Sequence, residues 1–363
     1  MFALRNLIVT ASRIVPTFAA AFAGGWAFAA LSLPLPWVLG AMAGAMSLKA
    51  FRPPASRVPK PLKRGALVVL GIAFGLQFTL ATVRSVVPYL LPYLAVTAAT
   101  IAFSVGLGAL FARWTNTDLK SSVFGFIPGG LAEMVATGEA VGAKPGTVVF
   151  LQTLRLLSVL SVVPFLVTLW FGGGVVPPPA AASGAVPLTG SPIAFAPIAF
   201  VWYAPTVFAA WLLRKAVPAS YVLVPMLLTA AMHVAGVPLP AAPHAAAVAA
   251  QVIVGAGLGE SVSFRELRPV GKQWWRALSL IAAMLAATMA LGAALHWLTG
   301  MDWPAALLSV APGGLIEMAL TASSVGADAA VVTSLQMIRL YTIIGLVPFL
   351  LKLWFGKTRT ADR

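Results

Sequence analysis

Cysteine is absent from this chain. Disulfides, iron–sulfur clusters and thiolate metal sites are therefore excluded. Histidine is nearly absent too. His233, His244 and His296 stand far apart, and none has the i, i+4 spacing that puts two imidazoles on one helix face. No metal and no cofactor is expected, and a metal-dependent enzyme is not supported. Charge is the third scarcity. Only 9% of the residues are Asp, Glu, Lys or Arg, against about a quarter in soluble domains. A solvated protein surface cannot be assembled from so few.

What fills the chain instead is apolar: 60% of 363 residues, with a mean hydropathy of +0.95. Runs of about 20 apolar residues, the length that spans a bilayer as helix, recur from end to end. The fold class that follows is an all-α polytopic membrane protein in a lipid bilayer. The 24 Lys and Arg outnumber nine Asp and Glu, for a net charge of +15. They sit in short clusters between apolar runs, as cytoplasmic loops require, and no soluble basic domain remains to hold DNA. Direct nucleic-acid binding is not expected. Arg5 and Arg13 precede the first apolar run, which lacks a small-residue cleavage site, so it reads as a retained span rather than a signal peptide.

The chain repeats itself. "PGGLAEMVATGEAVGA" at 128–143 returns as "PGGLIEMALTASSVGA" at 312–327. The offset that carries Pro128 onto Pro312 also carries Gln152 onto Gln336 and Arg155 onto Arg339, without a gap. It carries "LWFG" at 169–172 onto "LWFG" at 353–356, and Gly71 and Gly75 onto Gly255 and Gly259. Such self-similarity marks a duplication. The halves are 1–172 and 193–363, joined by the uncharged Gly-, Pro- and Ala-rich linker 173–192. Apolar spans fall at about 14–33, 35–50, 63–81, 86–112 and 146–171, then at about 194–213, 219–236, 244–262, 273–297 and 329–355. The "PGG" segments lie at about 119–143 and 303–327.

Corresponding loops carry opposite charge. Lys49, Arg52, Arg57, Lys60, Lys63 and Arg64 crowd one loop of the first half, whereas its counterpart at 236–244 has no Lys or Arg. Conversely, Arg265, Arg268, Lys272 and Arg276 cluster where the first half offers only Arg84. The positive-inside rule then predicts inverted repeats, each of about five transmembrane helices plus a re-entrant broken helix, with both chain termini cytoplasmic.

A Pro-Gly-Gly break at membrane depth must line a cavity or pack inside protein. Two of them, in inverted halves, are the usual construction of a midplane site in secondary transporters. Gly129 and Gly130, with Gly313 and Gly314, are the predicted breaks. The helices that follow would present positive N-terminal ends there, with Glu133 and Glu317 in their first turns. Arg155 and Arg339 fall about ten residues, or about 15 Å of helix rise, into the last span of each half. Gln152 and Gln336 share their faces at i, i+3. Two readings stand side by side. Each glutamate and arginine form a neutral pair that staples the break, or the arginines and helix ends bind an anionic solute while a glutamate carries a coupling proton. Glu139 has Ser323 as its counterpart and carries no assignment. The glycine pairs at 71, 75, 255 and 259 read as close helix packing, although Gln77 and Glu260 lie within reach of a cavity.

The doubled "PGGLAEM" and "PGGLIEM", each followed by "LQxxRL" and "VPFL", resemble the AbrB-duplication membrane family, which also carries an ammonia monooxygenase label. The resemblance implies a multi-pass protein of the bacterial inner membrane concerned with regulation of gene expression. A monooxygenase centre is at odds with three scattered histidines and no cysteine. The expected function is secondary transport of a small anionic or zwitterionic solute, coupled to a proton or cation, by a monomer or a homo-oligomer. The alternative is a membrane sensor acting indirectly on gene expression.

Overall fold

The computed structural model describes residues 2–51, 58–172, 201–217, 219–241, 243–261 and 273–361. The linker 173–192, the start of the span expected at 194–213, and Arg52, Arg57, Arg265, Arg268 and Lys272 lie outside them. All elements among the described residues are helical. In the first half they are α1 (Phe2–Ala30), a π-turn (Pro36–Gly40) running into α2 (Ala41–Phe51), α3 (Lys60–Gly75), α4 (Leu80–Val86), α5 (Leu90–Thr115), α6 (Leu119–Phe126), α7 (Leu131–Ala140) and α8 (Pro145–Phe171). The second half contributes α9 (Ala204–Leu212), α10 (Ser220–Val234), α11 (His244–Ser261), α12 (Trp274–Thr299), α13 (Trp303–Val310), α14 (Leu315–Ser324) and α15 (Ala329–Ala361). Helices α5 to α8 and α12 to α15 begin at equivalent positions of the repeat, one by one.

Four stretches are long and apolar enough to cross a bilayer: Leu80–Thr115, Pro145–Phe171, Trp274–Thr299 and Ala329–Leu351. Helix α5 stops where Asn116 takes a left-handed conformation, φ 51°, and α12 stops likewise at Gly300, φ 68°. Both residues return their N–H to the last turn, at Ala112 and His296. A left-handed residue after the last turn is a common helix stop.

The contacts divide the chain into two compact units, and neither is a sequence half. One unit comprises 1–85, 164–262 and 319–330; the other comprises 86–163, 263–318 and 331–363. In the first unit, α3 packs on α10 and α11 on α2. A Cβ on Gly71 would meet the carbonyl oxygen of Val222, and one on Gly75 that of Met226. The same collisions recur at the equivalent glycines, Gly255 against Val38 and Gly259 against Met42. Partners rise together along each pair, so α3 runs parallel to α10 and α11 parallel to α2. Helices α3 and α11 run in opposite senses, because Val58 lies beside Glu260 while Lys63 packs on Gly257.

The second unit holds both breaks. Helix α5 lies along α12 and the two are antiparallel. Gln273 and Arg276, at the start of α12, donate to the carbonyls of Thr115 and Trp114 at the end of α5. Further along, Ser104 meets Met284. Helices α6 and α7 fold as a hairpin. The α6 start contacts the stretch after α7 through Lys120 to the Val141 carbonyl (3.1 Å) and the Lys144 N–H to Ser121 Oγ (2.6 Å). Asp118 starts α6 by accepting the Ser121 N–H at 2.8 Å, a favoured N-cap geometry. The hairpin buries Val123, Phe124, Ile127 and Met134 against Ile343 and Val347 of α15. The last helix of the second half thus covers the break of the first.

Candidate functional site

The sequence Ile127-Pro128-Gly129 closes a tight turn, in which the Gly129 N–H donates to the Ile127 carbonyl at 2.8 Å. Ala311-Pro312-Gly313 does the same at 2.8 Å. The proline ring restrains its own backbone torsion and supplies no N–H, which suits the middle of such a turn. Helices α6 and α13 therefore end abruptly, and their last carbonyls have no helical donor. Those carbonyls lie in an apolar interior, where an unpaired one costs about 1–3 kcal/mol.

Gln152 and Arg155 supply the missing donors. Gln152 Nε2 donates to the carbonyls of Phe124 (2.7 Å) and Ile127 (2.9 Å), and Arg155 Nη1 to that of Ile127 (2.6 Å). At the second break Gln336 Nε2 donates to Leu308 (2.6 Å) and Ala311 (3.2 Å). Arg339 donates to Val310 (3.3 Å), Ala311 (2.5 Å) and, through Nη2, Gly313 (3.1 Å). All four side chains are buried, with Arg155 and Arg339 only 5% and 6% exposed. The Gln-x-x-Arg spacing has a physical reason here. Residues three apart share a helix face, so one face of the last span carries two donors aimed at one helix end.

The arginines and glutamates are not paired. Among the described residues neither guanidinium meets a carboxylate; their partners are backbone carbonyls. Nε of Arg155 is buried without an acceptor, and so is Oε1 of Gln336 without a donor. Glu133 and Glu317 turn the other way. Each is the third residue of its helix, α7 or α14, and its Oε2 folds back over Gly130 or Gly314 where a Cβ would stand. The helix starts expected to face a solute therefore carry their own carboxylates, a placement the helix dipole favours. Glu317 is buried and Glu133 half-buried.

Two participants were not predicted. Met134 and Met318, the last letters of "PGGLxEM", are fully buried, and a Cβ on Gly129 or Gly313 would strike their side chains. The second glycine of each pair thus admits a carboxylate and the first a methionine. The recurrence of both letters in both halves was the available signal. The other participants are the acceptor carbonyls of Phe124, Ile127, Leu308 and Ala311, which no side-chain pattern announces.

The remaining candidates have partners of their own. Glu260 belongs to the other unit, where its carboxylate accepts the Val58 N–H at 2.8 Å and its carbonyl is bound by Lys49. His296 closes the turn after α12, with Nδ1 at 2.6 Å from the Met301 carbonyl and its ring stacked on Trp303. Among the described residues, no three His, Cys, Asp or Glu side chains gather as metal ligands would.

Four apolar helices of spanning length, with two chain breaks each closed by a buried Gln-Arg pair, are the features of a helical membrane protein. The chain belongs to the family described as "Transition state regulatory protein AbrB", which matches residues 37–355. It is 27% identical over 349 residues to "Uncharacterized protein YhjN" of Bacillus subtilis (strain 168), covering 90% of this chain and 89% of the relative. It is 26% identical over 327 residues to "Putative regulator AbrB" of Escherichia coli (strain K12), covering 87% and 89%.

Proposed function

We propose that this protein is a secondary transporter of a small anionic solute, working by alternating access around its two breaks. The observation that carries the reading is the opposed course of equivalent helices: α5 against α12, and α3 against α11. Halves that insert in opposite senses present the same site to opposite sides of a membrane, which is how inverted-repeat transporters are built. The α6–α7 hairpin supports a re-entrant first break, since a hairpin returns the chain to the side it left. The anionic preference rests on Arg155 and Arg339, two buried cations with no carboxylate against either among the described residues. Backbone carbonyls engage only some of the guanidinium donors, and the donors left over, with two uncompensated positive charges, suit the oxygens of an anion. The termini and the basic loops are assigned to the cytoplasmic side of the bacterial inner membrane on charge.

The absence of cysteine makes the test clean. Asn116 and Gly300 are equivalent, exposed loop positions. Single cysteines there are expected to label from opposite sides of intact cells with an impermeant thiol reagent: 300 directly, 116 only after permeabilisation. Labelling of both from one side would mean parallel halves and would remove the basis for transport. The sensor reading draws on the name of the Escherichia coli relative. Purified protein in proteoliposomes separates the two, since a sensor binds its anion without moving it.

A further inference from the structure

We infer that the two guanidinium groups form one site rather than two, and that the solute fitting it is a dianion. This rests on the anion-site reading above. Three observations place both groups at one locus within a single compact unit. Arg339 Nη2 donates to the Gly313 carbonyl at 3.1 Å. The Cα of that same glycine faces Val159 of α8, whose side chain would lie 3.2 Å from a Cβ there. Val159 stands one helical turn beyond Arg155, on the same face.

Each sequence half therefore brings one cation to a common point. The capping bonds take only part of what each group offers. A guanidinium has five N–H donors, and Arg155 uses one of them, with Nε buried and unpaired. Two like charges in a low-dielectric interior repel each other and lose hydration. One negative charge would leave half of that uncompensated, whereas two would neutralise the pair. The planar fork of arginine matches carboxylate and phosphate oxygens two at a time. Two chemistries supply a dianion: one doubly charged centre such as sulfate or hydrogen phosphate, or a short chain with a carboxylate at each end.

The experiment is thermal unfolding of the purified full-length protein at constant ionic strength. It is titrated with succinate, malonate, sulfate and hydrogen phosphate, and separately with acetate, propionate and chloride. Dianions are expected to raise the midpoint at concentrations about tenfold or more below those the monoanions need. Succinate or malonate acting alone assigns two carboxylate ends; sulfate or phosphate acting alone assigns one centre. Arg155→Gln and Arg339→Gln should each weaken the dianion by about tenfold or more and spare or improve the monoanions, because one positive charge remains. Arg155→Lys, which keeps the charge, guards against a variant that fails to fold. Monoanions matching dianions in the unaltered protein would overturn this inference and leave the anion site standing. No response to any anion, or a response indifferent to both arginine variants, would overturn the anion site as well.

Discussion

At the scale of single residues, Gln152 and Gln336 are the simplest to interpret. Each amide occupies two carbonyls that the proline turn has stripped of helical donors. Gln152→Leu keeps the volume and removes the donors. It is expected to lower stability by about 1–3 kcal/mol, seen as a reduced unfolding midpoint in detergent, and Gln336→Leu should match it. Glu133→Gln is expected to cost less, about 0.3–1 kcal/mol, because it loses only the favourable carboxylate at a helix start. A cost for Glu133→Gln equal to that of Gln152→Leu would mean that the carboxylate has a buried role beyond its own helix end. The pairing of Gln and Arg was legible in the sequence as a shared face. Its target was not, because a carbonyl has no letter of its own, and only the folded break shows which ones lose their donors.

At the scale of elements, the glycines divide by what their missing Cβ would touch. Gly71 and Gly255 press on the backbone of the helix beside them, which cannot rotate away as a side chain can. Gly255→Ala is expected to separate α11 from α2 at a cost of about 1–3 kcal/mol. Gly106, in the middle of α5, has nothing within 4 Å of that position, and Gly106→Ala should instead stabilise by up to about 1 kcal/mol through helix propensity. Thermal unfolding of the two variants side by side checks both signs. Helix positions were largely readable from the apolar runs, and both breaks from Pro-Gly-Gly. The π-turn ahead of α2 was not, since Pro36–Gly40 looks like an ordinary apolar stretch in sequence.

At the scale of the whole molecule, the duplication does not yield two independent bodies. Each compact unit takes segments from both halves. Helix α3 rests on α10 and α2 on α11, so each half leaves large apolar faces bare when alone. Residues 1–172 expressed by themselves are therefore expected to aggregate or be degraded, while co-expression with 193–363 should restore a monodisperse complex. Size-exclusion chromatography of the two preparations decides it, and a monodisperse first half would show that the intertwined packing is dispensable.

Composition alone determined that this is a helical membrane protein, because a chain with so few charges has no way to face water. The constant offset between the two "PGG" phrases determined that whatever one half builds the other builds too, since equal sequences meet equal constraints. Only the tertiary structure decided how the motif letters pair. Glutamate and arginine looked like natural partners by charge. In the fold the arginine turns to carbonyls stripped of their helical donors, while the glutamate folds back over the glycine that precedes its own helix. Only the fold, too, brought Arg155 and Arg339 of different halves to one locus: long-range packing of α8 on the second break sets that distance, and no local pattern encodes it.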